Sequence, residues 1–158
     1  SACITGNATN LLFLFFSNYT QSNNTTVNYI PTATWQANAT ATLNGNTTGT
    51  TLTSNSTSLG NLIVNNTLST ATLSAFTTSS RIIQGNLTVN STGTGKFRAV
   101  TSGLLTINGN LVINAGTFEV GSLSTGGVIV NGNTTVASGA ILDIVQFFNW
   151  LIITTKSR

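Results

Sequence analysis

The chain has 158 residues, of which only five are basic and two acidic, with no histidine and a formal net charge of +3. Thr (31), Asn (21), Ser (16) and Gly (15) fill more than half of it, whereas a globular domain is ordinarily about a quarter charged. This balance excludes a nucleic-acid footprint, because Lys156 and Arg158 stand at the C-terminal end and only Phe97 is interleaved with Lys96 and Arg98. The 40% apolar content, rich in β-branched residues at period two, supplies a core and argues for one ordered β domain, with no cofactor expected.

From the N-terminus, Cys3 is the lone cysteine, so no intramolecular disulfide and no cysteine-based metal site can form. The chain begins with small residues and no Met, which is expected of an exported chain whose signal has been removed. Leu11, Leu12, Phe13, Leu14, Phe15 and Phe16 follow as an uninterrupted apolar run. Residues 1–59 are otherwise polar and rich in Asn-X-Ser/Thr sequons. The whole chain carries eleven, at Asn7, Asn18, Asn23, Asn24, Asn38, Asn46, Asn55, Asn65, Asn86, Asn90 and Asn133, against about six from composition alone. Their abundance supports export and glycosylation, with the stretch from Asn18 to Asn55 expected to carry sugar because it lacks the alternation that would bury its neighbours.

Residues 60–140 are a repeat region. Gly-Asn recurs at Gly60-Asn61, Gly85-Asn86, Gly109-Asn110 and Gly132-Asn133, with glycines 25, 24 and 23 residues apart. Such a period marks a solenoid, a propeller or an array. Two positions after each glycine stand Leu62, Leu87, Leu111 and Thr134; four positions after stand Val64, Val89, Ile113 and Val136. Period two means strand, so the spacing predicts a β-solenoid with coils of about 24 residues. Leu62, Leu87 and Leu111 then form one buried ladder, and Val64, Val89, Ile113 and Val136 a second. Asn108-Gly109 and Asn131-Gly132 fall at the corners, where Asn and Gly tolerate positive φ. The same dipeptides are the strongest short hairpin signal, so a β-sandwich with strand donation between subunits is the alternative.

The charges fall into the same frame. Glu119 and Asp143 lie ten and eleven positions after their glycines, and Lys96 lies eleven after Gly85. A short charge ladder on one face is expected from Lys96, Glu119 and Asp143, with Phe97 packed inward. Two carboxylates are the minimum for glycoside hydrolysis, yet stacked beside a lysine they read as ion pairing, and catalysis is not expected.

Residues 141–158 close the chain with a second apolar segment that includes Phe147, Phe148 and Trp150. Neither terminal run reaches the roughly 18 to 20 apolar residues that span a bilayer. Uncharged, β-prone segments of this kind are aggregation hazards unless buried or given to a neighbour, so copies of the chain itself are the expected partner. The Leu11–Phe16 run is the favoured donated segment.

Through Gly-Asn-Leu-x-Val-Asn, as in Gly60–Asn65 and Gly85–Asn90, residues 60–136 resemble the repeats of secreted β-solenoid adhesins of the autotransporter and filamentous-haemagglutinin type. The resemblance implies a β-solenoid at a cell surface. The apolar ends are similar in logic to strand-donating filament subunits. The expectation is therefore a non-enzymatic subunit of an extracellular, glycosylated filament or fibre, with a secreted adhesin or viral fibre domain that binds glycans or a host surface as the alternative.

Overall fold

The computed structural model describes residues 14–15, 18–22, 28–45, 47, 52–53, 56–68, 72–76, 80–121 and 126–144. Among the described residues, short apolar-polar alternations without a run of helix formers give eighteen strands and no helix. They come in threes. The first two passes are β1 (Leu14–Phe15), β2 (Asn18–Ser22) and β3 (Asn28–Tyr29), then β4 (Thr34–Trp35), β5 (Thr40–Asn44) and β6 (Leu52–Thr53). Four fuller coils follow. These are β7 (Ser58–Leu59), β8 (Asn61–Leu68) and β9 (Thr72–Phe76); β10 (Arg81–Ile83), β11 (Leu87–Gly93) and β12 (Lys96–Val100); β13 (Gly103–Ile107), β14 (Leu111–Ile113) and β15 (Thr117–Gly121); and β16 (Gly126–Val130), β17 (Thr134–Val136) and β18 (Ile141–Asp143).

The chain is a parallel β-solenoid with about 23 residues per coil. Its first face is the sheet β7-β10-β13-β16, its second the six-stranded sheet β2-β5-β8-β11-β14-β17, and its third β9-β12-β15-β18. The short strands pair as β1 with β4 and β3 with β6, also in parallel. Because β13 and β14 each bond to the coil before and the coil after, the Asn108-Gly109 corner joins two different sheets and is no hairpin.

Both expected ladders are present. Leu62, Leu87 and Leu111 are in register and buried, as are Val64, Val89 and Ile113. Thr134 and Val136 continue the two columns. Val136, expected in the core, is 41% exposed, because β17 is the outermost strand of its sheet and no described strand stacks beyond it. The first face adds Leu59, Ile83, Ile107 and Val130, and the third adds Leu73, Phe97 and Phe118. The Phe97 and Phe118 rings lie 6.0 Å apart at 39°. Burying one such side chain stabilises by roughly 1.5–3 kcal/mol, and period-two alternation on three faces supplies three per coil or more. The stack also continues below Gly60, into the segment with no recognisable phrase. There Ala41 and Leu43 extend the two ladders, and Trp35 fills the interior beside Tyr19, edge to face at 6.4 Å.

The glycines of the repeat serve a purpose other than the expected one. Positive φ is found at Gly45, Gly93, Gly103, Gly116 and Gly139, and not at Gly60, Gly85, Gly109 or Gly132. What those four need is space. A Cβ on Gly109 would stand 2.6 Å from the Gly85 carbonyl oxygen and 2.5 Å from Asn86 Oδ1, and one on Gly132 would stand 2.4 Å from the Gly109 oxygen. Their amides hydrogen-bond coil to coil, Gly85 to Gly60, Gly109 to Gly85 and Gly132 to Gly109, at 2.9–3.0 Å.

Leu87→Ala should lower stability by about 2–5 kcal/mol through the cavity it leaves, and Gly109→Ala by about 1–3 kcal/mol through overpacking. Thr88→Ala, on the outer side of the same strand, should cost under about 0.5 kcal/mol. Thermal and denaturant unfolding followed by circular dichroism reads all three.

Candidate functional site

The Gly-Asn corner is the most organised polar feature. The Asn side chain that enters the second face turns its Oδ1 toward the next coil and accepts a backbone N–H there. Asn61 receives Asn86, Asn86 receives Asn110 and Asn110 receives Asn133, each at 2.8 Å. The neighbouring corner position holds Asn108 and Asn131, joined amide to amide at 3.0 Å. Across the strands, Asn65 donates to Asn44 at 2.7 Å and Asn114 to Asn90 at 2.8 Å. The second face is thus bordered on both long sides by stacked asparagines. Between them runs the column Thr20, Thr42, Ile63, Thr88, Val112 and Thr135.

The charged residues are elsewhere. Among the described residues, Arg81 is on the first face, Lys96, Arg98, Glu119 and Asp143 are on the third, and the second face carries none. The expected ladder of Lys96, Glu119 and Asp143 forms as a cluster with a different column. Arg98, not Lys96, is in register with Glu119, which is in register with Asp143. Lys96 stands one column over and bridges the two acids, at 3.2 Å from Glu119 and 2.7 Å from Asp143. The Arg98 guanidinium Nε donates to Glu119 Oε1, and Glu119 is only 3% exposed. The omission of Arg98 from the ladder has a simple cause. The third-face columns advance 21 residues from Phe97 to Phe118 and 24 on either side, so counting from the glycine slips by two or three places. Both carboxylates are engaged by cations, and the chemistry of the arrangement is ion pairing across coils. Phe97 is packed inward as expected.

At the last described coil the apolar interior comes to the end of the described stack. A cavity of about 20 Å³ lies between Leu111, Phe118, Val128, Val130, Leu142 and Ile144. Val136, 41% exposed, is on β17 with the lining residue Thr134, while Ile141, 54% exposed, stands in the outward column of Lys96 and Thr117. The outer edges of β16, β17 and β18 have no described strand against them. Asn133 Oδ1, which occupies the accepting position of the Asn ladder, receives no donor among the described residues.

Of the assembly candidates, Leu14 and Phe15 form β1 and pair in parallel with Thr34 and Trp35 of the same chain, so this part of the N-terminal run is an internal strand and not one held out for a neighbour. Leu11, Leu12, Phe13, Phe16, Phe147, Phe148 and Trp150 lie outside the described residues, as do the sequons at Asn7, Asn23, Asn24, Asn46 and Asn55. Asn18, Asn38, Asn65, Asn86, Asn90 and Asn133 are all exposed. Among the described residues, no group of three His, Cys, Asp or Glu side chains could hold a metal ion, and no helix is long and apolar enough to cross a membrane. Comparison with protein-family models, with curated proteins and with solved structures finds no match.

The hydrogen bond to Asp143, and after it the one to Glu119, raises the Lys96 pKa above its usual value. A raised folded value means the contribution is fully present below the unfolded pKa of about 10.4 and is lost as pH climbs through the folded one. Lys96 is 41% exposed, so solvent screens the effect. Thermal midpoints of the native chain should fall as the pH rises above the unfolded value of about 10.4, and Lys96→Gln should flatten the Lys96 part of that fall.

Proposed function

We propose that this chain is a non-enzymatic structural subunit of an extracellular, glycosylated filament or surface fibre, built by stacking copies end to end. The observation that carries the reading is the last described coil, where, among the described residues, an unpaired parallel edge and the end of the aliphatic interior coincide. Isolated solenoids ordinarily finish in polar or charged caps. Here the described end offers Val136 and the mouth between Val128, Val130 and Leu142. The opposite end of the described stack differs, with Tyr19 and Trp35 filling the interior. Since every described pairing is parallel, the first described coil of a second copy can supply the backbone partners that the last described coil does not find among the described residues, which is strand addition between subunits. The near absence of titratable groups and the wealth of sequons support an extracellular setting.

The resemblance of the Gly-Asn-Leu-x-Val-Asn phrases to secreted adhesin repeats supports the same surface location. It also sustains the second reading, an adhesin or viral fibre domain that binds a glycan or host surface. The uncharged, flat second face with its Asn borders favours that alternative if the chain stands alone.

Negative-stain microscopy and sedimentation of the purified chain test the assignment. Fibres should form, and the pair Thr134→Lys and Val136→Lys, which puts charge on the open edge, should leave a folded monomer. A native chain that is itself a monodisperse monomer overturns the filament reading in favour of the adhesin.

A further inference from the structure

All six sequons among the described residues lie on one side of the solenoid. Asn18, Asn65 and Asn90 belong to β2, β8 and β11 of the second face. Asn38, Asn86 and Asn133 lie on the corner that leads into β5, β11 and β17 of the same sheet. Every one is exposed. No described sequon lies on the first or third face, where the charged cluster and the exposed Ile82, Leu104 and Ile141 are found. The hydrogen bonds of the ladder sort these asparagines further. Asn86 uses its Oδ1 to accept Asn110 N–H, and Asn90 uses its Oδ1 to accept the Asn114 amide. In both, Nδ2 has no partner among the described residues, and the bond that the coil uses is made by Oδ1. Asn61, Asn65, Asn114 and Asn131 instead spend Nδ2 as a donor. Of these four, only Asn65 is a sequon.

We propose that the second face is the glycan-bearing side of the solenoid, with N-linked oligosaccharide on Nδ2 of Asn86, Asn90 and Asn133, none on Asn65, and the first and third faces bare. This rests on the reading of the chain as exported. The donor is an oligosaccharide linked to a polyprenyl diphosphate. The bond from the sugar C1 to the diphosphate oxygen breaks, a bond from C1 to Nδ2 forms, Nδ2 gives up one proton, and polyprenyl diphosphate leaves. Because Oδ1 stays free to accept, the substituted side chain keeps its place in the ladder. Spacing agrees. In the corner column Asn61 and Asn110 are not sequons while Asn86 and Asn133 are, so two sugars stand two coils apart, about 9.6 Å at the usual strand separation. At Asn90 the timing is set as well. The hydroxyl of Thr92, the third residue of its sequon, is fully buried and donates to the Gly95 carbonyl at 2.8 Å, so transfer there precedes folding. A glycan-coated face directs lateral contacts to the two bare ones.

Secretion of the full chain from a glycosylating eukaryotic cell, followed by enzymatic release of the sugars in heavy-oxygen water and peptide mapping, reads each asparagine. Label at Asn86, Asn90 and Asn133 with Asn65 unlabelled is the expected result. Label confined to Asn7, Asn23, Asn24, Asn46 or Asn55 overturns the one-sided face and leaves the glycoprotein intact; no label on any asparagine of a secreted chain overturns both. Thr88→Val and Thr135→Val abolish the sequons at Asn86 and Asn133 without touching the ladder oxygens. Each should remove one glycan's mass while leaving the circular dichroism spectrum unchanged. If neither changes the mass, those two sites are refuted.

Discussion

The structure depends on one short bond, from a backbone N–H of one coil to the side-chain oxygen of the asparagine directly below it. A coil of about 23 residues has no covalent reason to land in register with its neighbour, and a slip of one residue would turn every inward side chain outward. The Gly-Asn corner fixes the landing point. Asn61, Asn86 and Asn110 each hold the next coil at 2.8 Å, and the glycine before each of Asn86, Asn110 and Asn133 brings the backbones close enough for its own amide to bond as well. The aliphatic ladders gain most of the free energy, but the corner decides which residues they contain.

That division of labour explains what could be read from the residues alone. The period and the ladder members Leu62, Leu87, Leu111, Val64, Val89 and Ile113 were legible because two-fold alternation behind a fixed dipeptide leaves a single register. The purpose of the glycine was not, since a requirement for space and one for positive φ ask for the same residue; only the Gly85 oxygen beside Gly109 separates them. The first coils escaped notice for a related reason. At the corner below Asn61 the chain uses Ala39 and Thr40, closed by a bond from Ala39 to the Gln36 carbonyl, and the Ser56 hydroxyl ties Ala33 and Pro31 from one coil on. The geometry is kept while the letters change. The place of Arg98 was hidden because the interval between third-face columns varies, and the exposure of Val136 follows from where the described stack stops.

Parallel stacking also gives the molecule a direction. The two ends of the described stack differ inside, aromatic at Tyr19 and Trp35, aliphatic at Val130 and Leu142. A contact between unlike ends is heterologous and has no reason to close. Its three sides differ as well. Ion pairs are gathered on the third face, apolar Ile82 and Leu104 project from the first, and the described second face is uncharged, Asn and Thr with Ile63 and Val112 among them. A polymer with such a subunit would have polarity along its axis and distinct flanks around it.

The corner bonds bear, finally, on how the protein ages. Asn-Gly is the dipeptide most prone to lose ammonia, because the unhindered glycine nitrogen can turn onto the preceding side-chain carbonyl and close a succinimide. The chain holds three, at Asn44-Gly45, Asn108-Gly109 and Asn131-Gly132. In every one the glycine nitrogen is already committed to a carbonyl of an adjacent coil, at 2.9 Å to Asn65, 2.9 Å to Gly85 and 3.0 Å to Gly109. The atom that would start the damage is the atom that holds the coils together, so spontaneous deamidation must wait for a coil to come apart.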